Sequence, residues 1–283
     1  MTVADRLREL DAAVEAHLRG APATFEVLGY GEISAVLRLD DGLVAKRLPP
    51  MSHDDFARYA AVVDRYLETL RDRGVHVATT ELHRPAAGDA TYMVQPRYET
   101  LLGDRLAAGS PDDASALFAA LRDHVVAVVD GGVGLDAQVS NWAVGPDGHL
   151  IYFDVTTPLL RGPDGREALD TELFLASLPA PLRAPVRRLA LPGILATYYD
   201  VRRVLLDVAG NLGKERVDVL VPAALAAFSS VVENPITLRE ARRYYRVNAI
   251  LWETLQRLRR ADRWRHRRRG SMYPFLLPPP IRR

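Results

Sequence analysis

Three polar residues near the middle of the chain have types and a spacing suited to phosphoryl transfer. Asp136, Asn141 and Asp154 follow the pattern Asp-x4-Asn-x12-Asp. The first Asp can orient an acceptor hydroxyl and accept its proton, while the Asn and the second Asp offer hard oxygen ligands to Mg²⁺ bridging the phosphates of ATP. We therefore predict a catalytic Asp136 and a metal site at Asn141 and Asp154. The competing interpretation is ordinary loop polarity, because Asp and Asn are common in turns.

A predicted β-hairpin connects the two expected metal ligands. Strand-like residues 142–144 and 149–153 flank the sequence Gly-Pro-Asp-Gly at 145–148, which is typical of a turn. Because a hairpin brings its ends together, we expect Asn141 and Asp154 to be neighbours in space although 13 positions separate them in the sequence.

The first hundred residues predict a small antiparallel sheet with helices. After a helix within residues 1–20, strands are expected at 25–28, 35–39 and 43–46, with turns at 29–31 and 40–42. Apolar residues at three- and four-residue spacing predict a helix over 53–73, capped by Ser52 and ended by Gly74. Further strands are expected at 75–78 and 91–94, separated by a turn-rich stretch at 85–89. Beyond Ser110 the pattern is mainly helical, over 112–130, 167–178, 181–189, 195–209, 214–232 and 238–263.

Taken together, these motifs resemble the protein-kinase-like fold, and most closely small-molecule kinases of the aminoglycoside phosphotransferase and choline kinase type. The resemblance covers roughly residues 24–160. Its glycine-rich phosphate-binding turn corresponds to Gly29, Gly31, Ser34 and Val36, with Ser34 in the third glycine position. Lys46 ends an apolar strand ten residues after Val36 and matches the lysine that binds the α- and β-phosphates.

The resemblance also implies partners for Lys46 and for the adenine base. An acidic residue on the following helix should pair with Lys46. The candidates are Asp64 and Glu68, which lie four positions apart on one helix face, and counting back from the next strand favours Asp64. The other interpretation of both is a solvated helix face. Residues 92–97 fall where the family's hinge binds adenine, which makes Gln95 a cofactor-binding candidate, while Pro96 lacks a backbone donor.

Two departures from the family pattern keep a second function open. Where the family often has His two positions before the catalytic Asp, this chain has Gly134, and where Gly follows the metal Asp by two, it has Thr156. Neither change removes a reacting group. Both are compatible with a catalytically inactive pseudokinase that serves as a nucleotide- or peptide-binding scaffold subunit.

The expected architecture is therefore an α+β, two-lobed kinase-like fold that binds ATP and Mg²⁺ between its lobes. The N-lobe, residues 1–94, would hold the N-terminal helix, the small antiparallel sheet and one further helix, and the C-lobe, residues 95–283, would be mainly helical. No activation segment of the regulated protein-kinase type follows Asp154. The acceptor is accordingly expected to be a hydroxyl of a small molecule or of a peptide Ser or Thr, as in bacterial natural-product metabolism.

Composition restricts other functions. The chain has 283 residues, a formal net charge of +1 and no cysteine, which excludes disulfides, thiolate metal sites and cysteine nucleophiles. Residues 1–20 lack the apolar core of a secretory signal, and apolar stretches are too short to span a membrane, so a cytoplasmic protein without membrane contact is expected. Residues 257–269 contain eight arginines. We interpret them as a solvated helix end whose cations complement the helix dipole. An acidic peptide, an anionic metabolite and anionic lipid are alternative partners, and nucleic acid is a minor one.

Overall fold

The computed structural model of the protein describes residues 1–31, 34–85 and 90–279. These residues form an α+β fold, which confirms the predicted class. Its helices and strands, in chain order, are α1 Val3–Leu18, β1 Val27–Tyr30, β2 Ala35–Arg38, β3 Leu43–Leu48, α2 His53–Asp72, β4 His76–Val77, β5 Glu81–His83, β6 Thr91–Pro96, α3 Leu102–Ala108, α4 Pro111–Val128, β7 Trp142–Val144, β8 Leu150–Tyr152, α5 Glu172–Leu175, α6 Ala180–Leu189, α7 Leu191–Thr197, α8 Val201–Asn211, α9 Val221–Phe228 and α10 Leu238–Arg268.

An antiparallel sheet with the order β1-β2-β3-β6-β5 dominates the first hundred residues. Helix α1 covers one of its faces, where Leu7, Leu10 and Val14 of the helix join buried side chains of the strands, including Leu37 and Tyr92. A capping box between Thr2 and Asp5 starts the helix. The sheet and α1 thus share a hydrophobic core of their own.

Helix α2 has the predicted cap, apolar face and end. Ser52 accepts a hydrogen bond from the backbone N–H of Asp55, and Gly74 follows the helix with a φ of +80°. Its buried face joins the larger core, which also contains α3, α4, α8 and α9. The buried residues of that face are Tyr59, Val63, Tyr66, Leu67 and Leu70.

A second sheet has the order β4-β8-β7, and β4 runs parallel to β8. The strand predicted at 75–78 therefore exists over His76 and Val77, but it pairs with the hairpin rather than with β6. Strand β5 pairs with β6 in its place and was not predicted. Of the turn predicted at 85–89, residues 86–89 lie outside the described residues.

The predicted helical boundaries beyond Ser110 are only partly correct. The prediction for 112–130 corresponds to α4 and that for 181–189 to α6, whereas 167–178 contains only α5. The helix expected over 195–209 is two helices, because Asp200 adopts an extended backbone and caps the backbone N–H of Arg203 to begin α8. Residues 214–232 hold α9 between two 3-10 turns. Helix α10 is five residues longer than predicted, and α3 was missed.

The C-terminal tail returns across the molecule to the five-stranded sheet. Tyr273 and Leu277 are buried, and the carbonyl of Pro274 accepts a 2.6 Å hydrogen bond from the Arg47 guanidinium of β3. The tail thus docks without regular secondary structure, as its proline content suggests.

We expect the Leu277→Ala substitution to lower the free energy of unfolding by about 2 kcal/mol, because it removes buried methyl groups from this contact. Met272→Ala, five positions earlier at an exposed site, should change it by less than about 0.5 kcal/mol. Urea unfolding of both variants measures the difference. Equal effects would show that the tail contributes nothing to stability through this contact.

An ion pair ties the start of α10 to α8. Arg202 donates to both carboxylate oxygens of Glu240 at 2.9 and 2.8 Å. These hydrogen bonds and the positive charge of Arg202 hold the pKa of Glu240 below its ordinary value, although burial acts in the opposite direction.

The pair should make stability depend on pH in the acid range. Because the folded-state pKa is lowered, its stabilisation is complete above the unfolded value of about 4.3 and is lost as the pH falls through the folded pKa. We expect Glu240→Gln to lose less stability than the wild type between pH 6 and pH 3 in urea titrations. Parallel pH profiles of the two proteins would contradict this.

Within the described residues, no helix combines the length and the apolar character needed to cross a bilayer.

Candidate functional site

Lys46 lies in the middle of the candidate site and is only 4% exposed. In β3 it pairs in register with Val36 of β2 and Met93 of β6, on the sheet face opposite to α1. Its Nζ donates to the carbonyl of Phe153 at 2.8 Å and to Oδ1 of Asp154 at 3.2 Å. The ammonium also lies 5.2 Å from the centre of the Phe153 ring. The structure therefore brings together a lysine and an aspartate 108 positions apart in sequence.

Asp154 follows β8 and is held from two sides. Besides the contact with Lys46, its Oδ1 accepts a 2.8 Å hydrogen bond from the hydroxyl of Thr156, and the side chain remains 33% exposed. Burial alone would raise the pKa of Asp154, but the charge of Lys46 and the hydrogen bonds from Thr156 and Lys46 outweigh it and lower the pKa. The carboxyl of Asp154 is consequently ionised at neutral pH, and part of the side chain is accessible to solvent.

Asn141 and Asp136 are joined directly by a hydrogen bond. The amide Nδ2 of Asn141 donates to the backbone carbonyl of Asp136 at 3.0 Å. The amide oxygen is the atom of this side chain that is able to coordinate a cation. The carbonyl of Asn141 also accepts from the backbone N–H of Phe153 at 3.1 Å, beyond the Trp142–Tyr152 pair of the hairpin. The hairpin thus pairs the backbone of Asn141 with Phe153, the residue before Asp154, as its turn predicts.

The loop before Asp136 is tightly packed at Gly134. A β-carbon there would lie 2.9 Å from the carbonyl oxygen of Tyr198 and 3.1 Å from the β-carbon of Leu159. The Gly134 carbonyl accepts a 2.9 Å hydrogen bond from the buried Tyr66 hydroxyl. The side chain of a histidine, which the kinase pattern often has at this position, would not fit, and Tyr66 fixes the loop from α2.

The glycine-rich turn is described on both sides of its tip. Gly29 pairs with Val36, and the N–H of Gly31 donates to the carbonyl of Ser34 at 2.9 Å. A β-carbon at Gly31 would approach the Ser34 hydroxyl to 2.8 Å, so the turn is narrow there. The two residues of the motif between Gly31 and Ser34, at 32 and 33, lie outside the described residues. The hairpin places Val36 next to Lys46, as the family pattern implies.

The expected pairing of Lys46 with a carboxylate of α2 is wrong. Asp64 and Glu68 both lie on the exposed face of the helix, and the ion pair of Lys46 is with Asp154. On the buried face, Tyr59 donates from its hydroxyl to the carbonyl of Thr156 at 2.9 Å. Helix α2 therefore contacts the segment after Asp154 through a tyrosine. The expected contact of this helix was a different one, between an acidic residue and Lys46.

Gln95 lies against the same cluster. Its Nε2 donates to the Phe153 carbonyl and to the Thr80 hydroxyl, each at 2.9 Å. Its Oε1 is buried and has no hydrogen-bond partner among the described residues. A buried acceptor without a donor costs free energy. Gln95 thus lies close to Lys46 and Asp154 through the shared contact with Phe153.

Three contributors were missed in the sequence: Tyr59, Tyr66 and Thr156 in its hydrogen-bonding role. The two tyrosines were predicted only to occupy the apolar face of a helix. The neighbouring sequence does not distinguish a tyrosine whose hydroxyl donates to a distant carbonyl from one that only packs in the core. Thr156 had a weak signal, because a hydroxyl two residues after a carboxylate can bond to it locally.

The described residues contain no group of three or more His, Cys, Asp or Glu side chains able to hold a metal ion. The candidate donor set is instead one carboxylate, Asp154, and one amide oxygen, Asn141. Such a set suits Mg²⁺, which is commonly bound by one or two protein ligands together with substrate phosphates and water.

Two comparisons with known proteins bear on the family of the chain. No curated protein matches the chain. The pattern of one family, described as a family of unknown function (DUF6206), matches residues 9–263. Since the match covers most of the 283 residues, the chain belongs to the DUF6206 family.

Proposed function

We propose that the protein is a phosphotransferase that uses ATP and Mg²⁺ and has a two-lobed kinase-like fold. The N-lobe would comprise residues 1–94 and the C-lobe residues 95–283. The observation that carries the proposal is the cluster of Lys46, Asp154, Asn141 and Asp136, which contact one another directly or through Phe153. Four independently placed motif residues converge there, in the order and with the chemistry that phosphoryl transfer requires.

Each residue of the cluster would have a distinct role. Asp154 and Asn141 would hold the metal, and Lys46 would neutralise phosphate charge from the strand beside the glycine turn. Asp136, partly exposed at the end of its loop, would orient the acceptor hydroxyl and take its proton. Bound ATP with Mg²⁺ supplies the phosphoryl group and the charge neutralisation of its oxygens. The free Oε1 of Gln95 would accept a hydrogen bond from the nucleotide base.

The acceptor is proposed as an alcohol of a small molecule or peptide. A cysteine nucleophile is excluded, since Cys is absent from the chain, whereas the carboxylate of Asp136 offers a general base. Direct transfer to a hydroxyl oriented by Asp136 is therefore the chemistry we favour.

A nucleotide-binding protein without catalysis is the second candidate. It is favoured by one observation: the carboxylate that would hold Lys46 in an active kinase is missing from the buried face of α2, and Lys46 instead contacts the metal-binding Asp154. In that case the site would bind ATP, and Asp136 would have no acceptor to deprotonate.

A thermal-shift titration with ATP, with and without Mg²⁺, tests the nucleotide site. A ligand at 100 times its Kd stabilises the folded state by about 2.7 kcal/mol, and we expect a shift of this order only when Mg²⁺ is present. Asp154→Ala should lose the Mg²⁺-dependent part, whereas the exposed Asp164→Ala should keep it. A shift with no measurable phosphate transfer or ATP hydrolysis would support the second candidate. No shift for the wild type would contradict both.

A further inference from the structure

Helix α10 is long and mostly exposed. Of its 31 residues, only Ala241, Gln256 and Arg259 are buried. One side packs on α8, where Tyr244 donates to Asp207 at 2.8 Å and closely approaches Gly210. A second face of the helix, which begins next to Tyr244 and turns away from α8, has no neighbouring element that would bury its aliphatic side chains in the part of the chain that the structure describes.

That second face carries an aliphatic stripe. Val247, Ile250 and Leu251 are 49%, 66% and 58% exposed, respectively. Their spacing of i, i+3 and i+4 continues to Thr254 at i+7 and to the half-buried Leu258 at i+11. These five residues, which we call the seam, lie on one helix face over three turns, about 16 Å. Three adjacent, highly exposed aliphatic side chains are a feature of interaction surfaces.

Arginines lie beside the seam on the side of Ile250. Arg243, Arg246 and Arg257 are exposed and lie within four positions of a seam residue. Across the whole helix there are eleven arginines against three acidic residues. The charges bordering the seam are therefore predominantly positive, although Glu253 approaches Arg257 at 3.9 Å.

The width and charge of the seam distinguish among partners. A bilayer would need a broad apolar helix face, whereas this stripe is as narrow as the contact line of a two-helix coiled coil. A second copy would oppose arginine to arginine, which is unfavourable. Binding of nucleic acid would place charged phosphates against the aliphatic side chains at the centre of the seam, which is unfavourable. A helix with an aliphatic stripe and flanking Glu or Asp residues matches both the narrow aliphatic stripe and the positive border of the seam.

We propose that the seam of α10 docks an acidic amphipathic helix of another protein. The aliphatic side chains of the partner would pack between Val247, Ile250 and Leu251, and its carboxylates would face Arg243, Arg246 and Arg257. The seam lies on the outer side of α10, so docking there does not depend on the nucleotide site proposed above.

The probe for this surface is a fluorescently labelled 21-residue synthetic helix with leucines at seam spacing and glutamates in the flanking positions. A matched peptide has lysines in place of the glutamates. Fluorescence anisotropy with the full chain, in the absence of nucleotide, should show saturable binding of the glutamate peptide and at least tenfold weaker binding of the lysine peptide.

Surface variants localise the binding. The double variant Ile250→Asp with Leu251→Asp should weaken binding of the glutamate peptide at least tenfold. Val219→Asp, at a site that is 80% exposed and outside α10, should leave it unchanged. Arg246→Glu with Arg257→Glu should also weaken binding of the glutamate peptide and strengthen that of the lysine peptide. Melting temperatures of the variants within a few degrees of the wild type would establish that they fold.

The proposal would be overturned if the glutamate peptide showed no saturable binding, if both peptides bound equally, or if the seam variant did not change the binding. It would also be overturned if the seam bound vesicles of phosphatidylserine and phosphatidylcholine, or duplex DNA, in place of the peptide. Because no nucleotide is present, none of these results depends on whether the protein transfers phosphate.

Discussion

The Asp136→Asn variant is expected to transfer phosphate about a thousandfold more slowly than the wild type, which corresponds to about 4 kcal/mol of activation free energy. The substitution keeps the size and shape of the side chain but removes the carboxylate that would accept the acceptor's proton. Its effect should appear in the rate constant for turnover and leave the affinity for ATP nearly unchanged.

The contacts around Asp136 make this separation testable. The loop is held by the backbone carbonyl of Asp136, which accepts from Asn141, while the carboxylate receives a long 3.4 Å contact from the N–H of Gln138. The amide of an asparagine can still accept at Oδ1, so we expect a small change in the free energy of unfolding and a normal thermal shift with ATP and Mg²⁺. The exposed Asp72→Asn serves as the matched control. An Asp136→Asn protein with wild-type turnover would remove Asp136 from the reaction.

The local parts of the site could be predicted from the sequence. The turn at 145–148 contains Gly148 at a φ of +85° and directs the chain back on itself, so the pairing of Asn141 with the residue before Asp154 followed from turn chemistry alone. Lys46 and Val36 lie in neighbouring strands joined by a short hairpin, which likewise fixed their register. In both cases a few consecutive residues determine the geometry.

The partner of Lys46 could not be predicted by the same means, although the helix pattern contained a warning. The apolar face of α2 runs through Tyr59, Val63, Tyr66 and Leu70, and these positions are indeed buried. Asp64 falls outside that stripe and is exposed with the rest of the polar face. The family pattern suggested an inward carboxylate, whereas the periodicity of this chain placed a tyrosine there.

The helix boundaries that were wrong depend on distant contacts. Asp200 interrupts what looks like a continuous apolar pattern, because its side chain caps α8. The preceding residues also pair with the loop that leads to Asp136, where Leu135 N–H donates to the Tyr198 carbonyl at 3.1 Å. Periodicity records which residues are apolar, but it does not record where a distant loop needs a hydrogen-bond acceptor. The docking of the C-terminal tail on Arg47 likewise depends on a distant hydrogen-bond partner, which periodicity does not record.

The adjacent cations Lys46 and Arg47 should respond to substitution in opposite ways. Both are buried at about 5% exposure or less, but they point to opposite faces of β3. Lys46 faces Asp154, whereas Arg47 lies 3.2 Å from Glu15 and 4.0 Å from Asp11, both in α1, and donates to the tail at Pro274. A methionine at either position retains the volume and the flexible stem while removing the charge.

For Lys46→Met we expect phosphate transfer to fall at least a hundredfold and the ATP-dependent thermal shift to be lost, since phosphate charge would no longer be neutralised. Stability should change by no more than about 1 kcal/mol, because the partly exposed Asp154 can regain hydration.

For Arg47→Met we expect the reverse. Removing one member of a buried ionic network leaves the nearly buried carboxylate of Asp11 without its cation and Glu15 with the exposed Arg19, which should lower the free energy of unfolding by about 3 kcal/mol. The folded fraction should still bind ATP and turn over normally, because Arg47 faces α1 and the tail rather than Asp154. Chemical unfolding and rate measurements on both variants test the pair. If both lost activity in proportion to stability, Lys46 would be a structural residue like Arg47, and the assignment of the site to phosphate binding would be wrong.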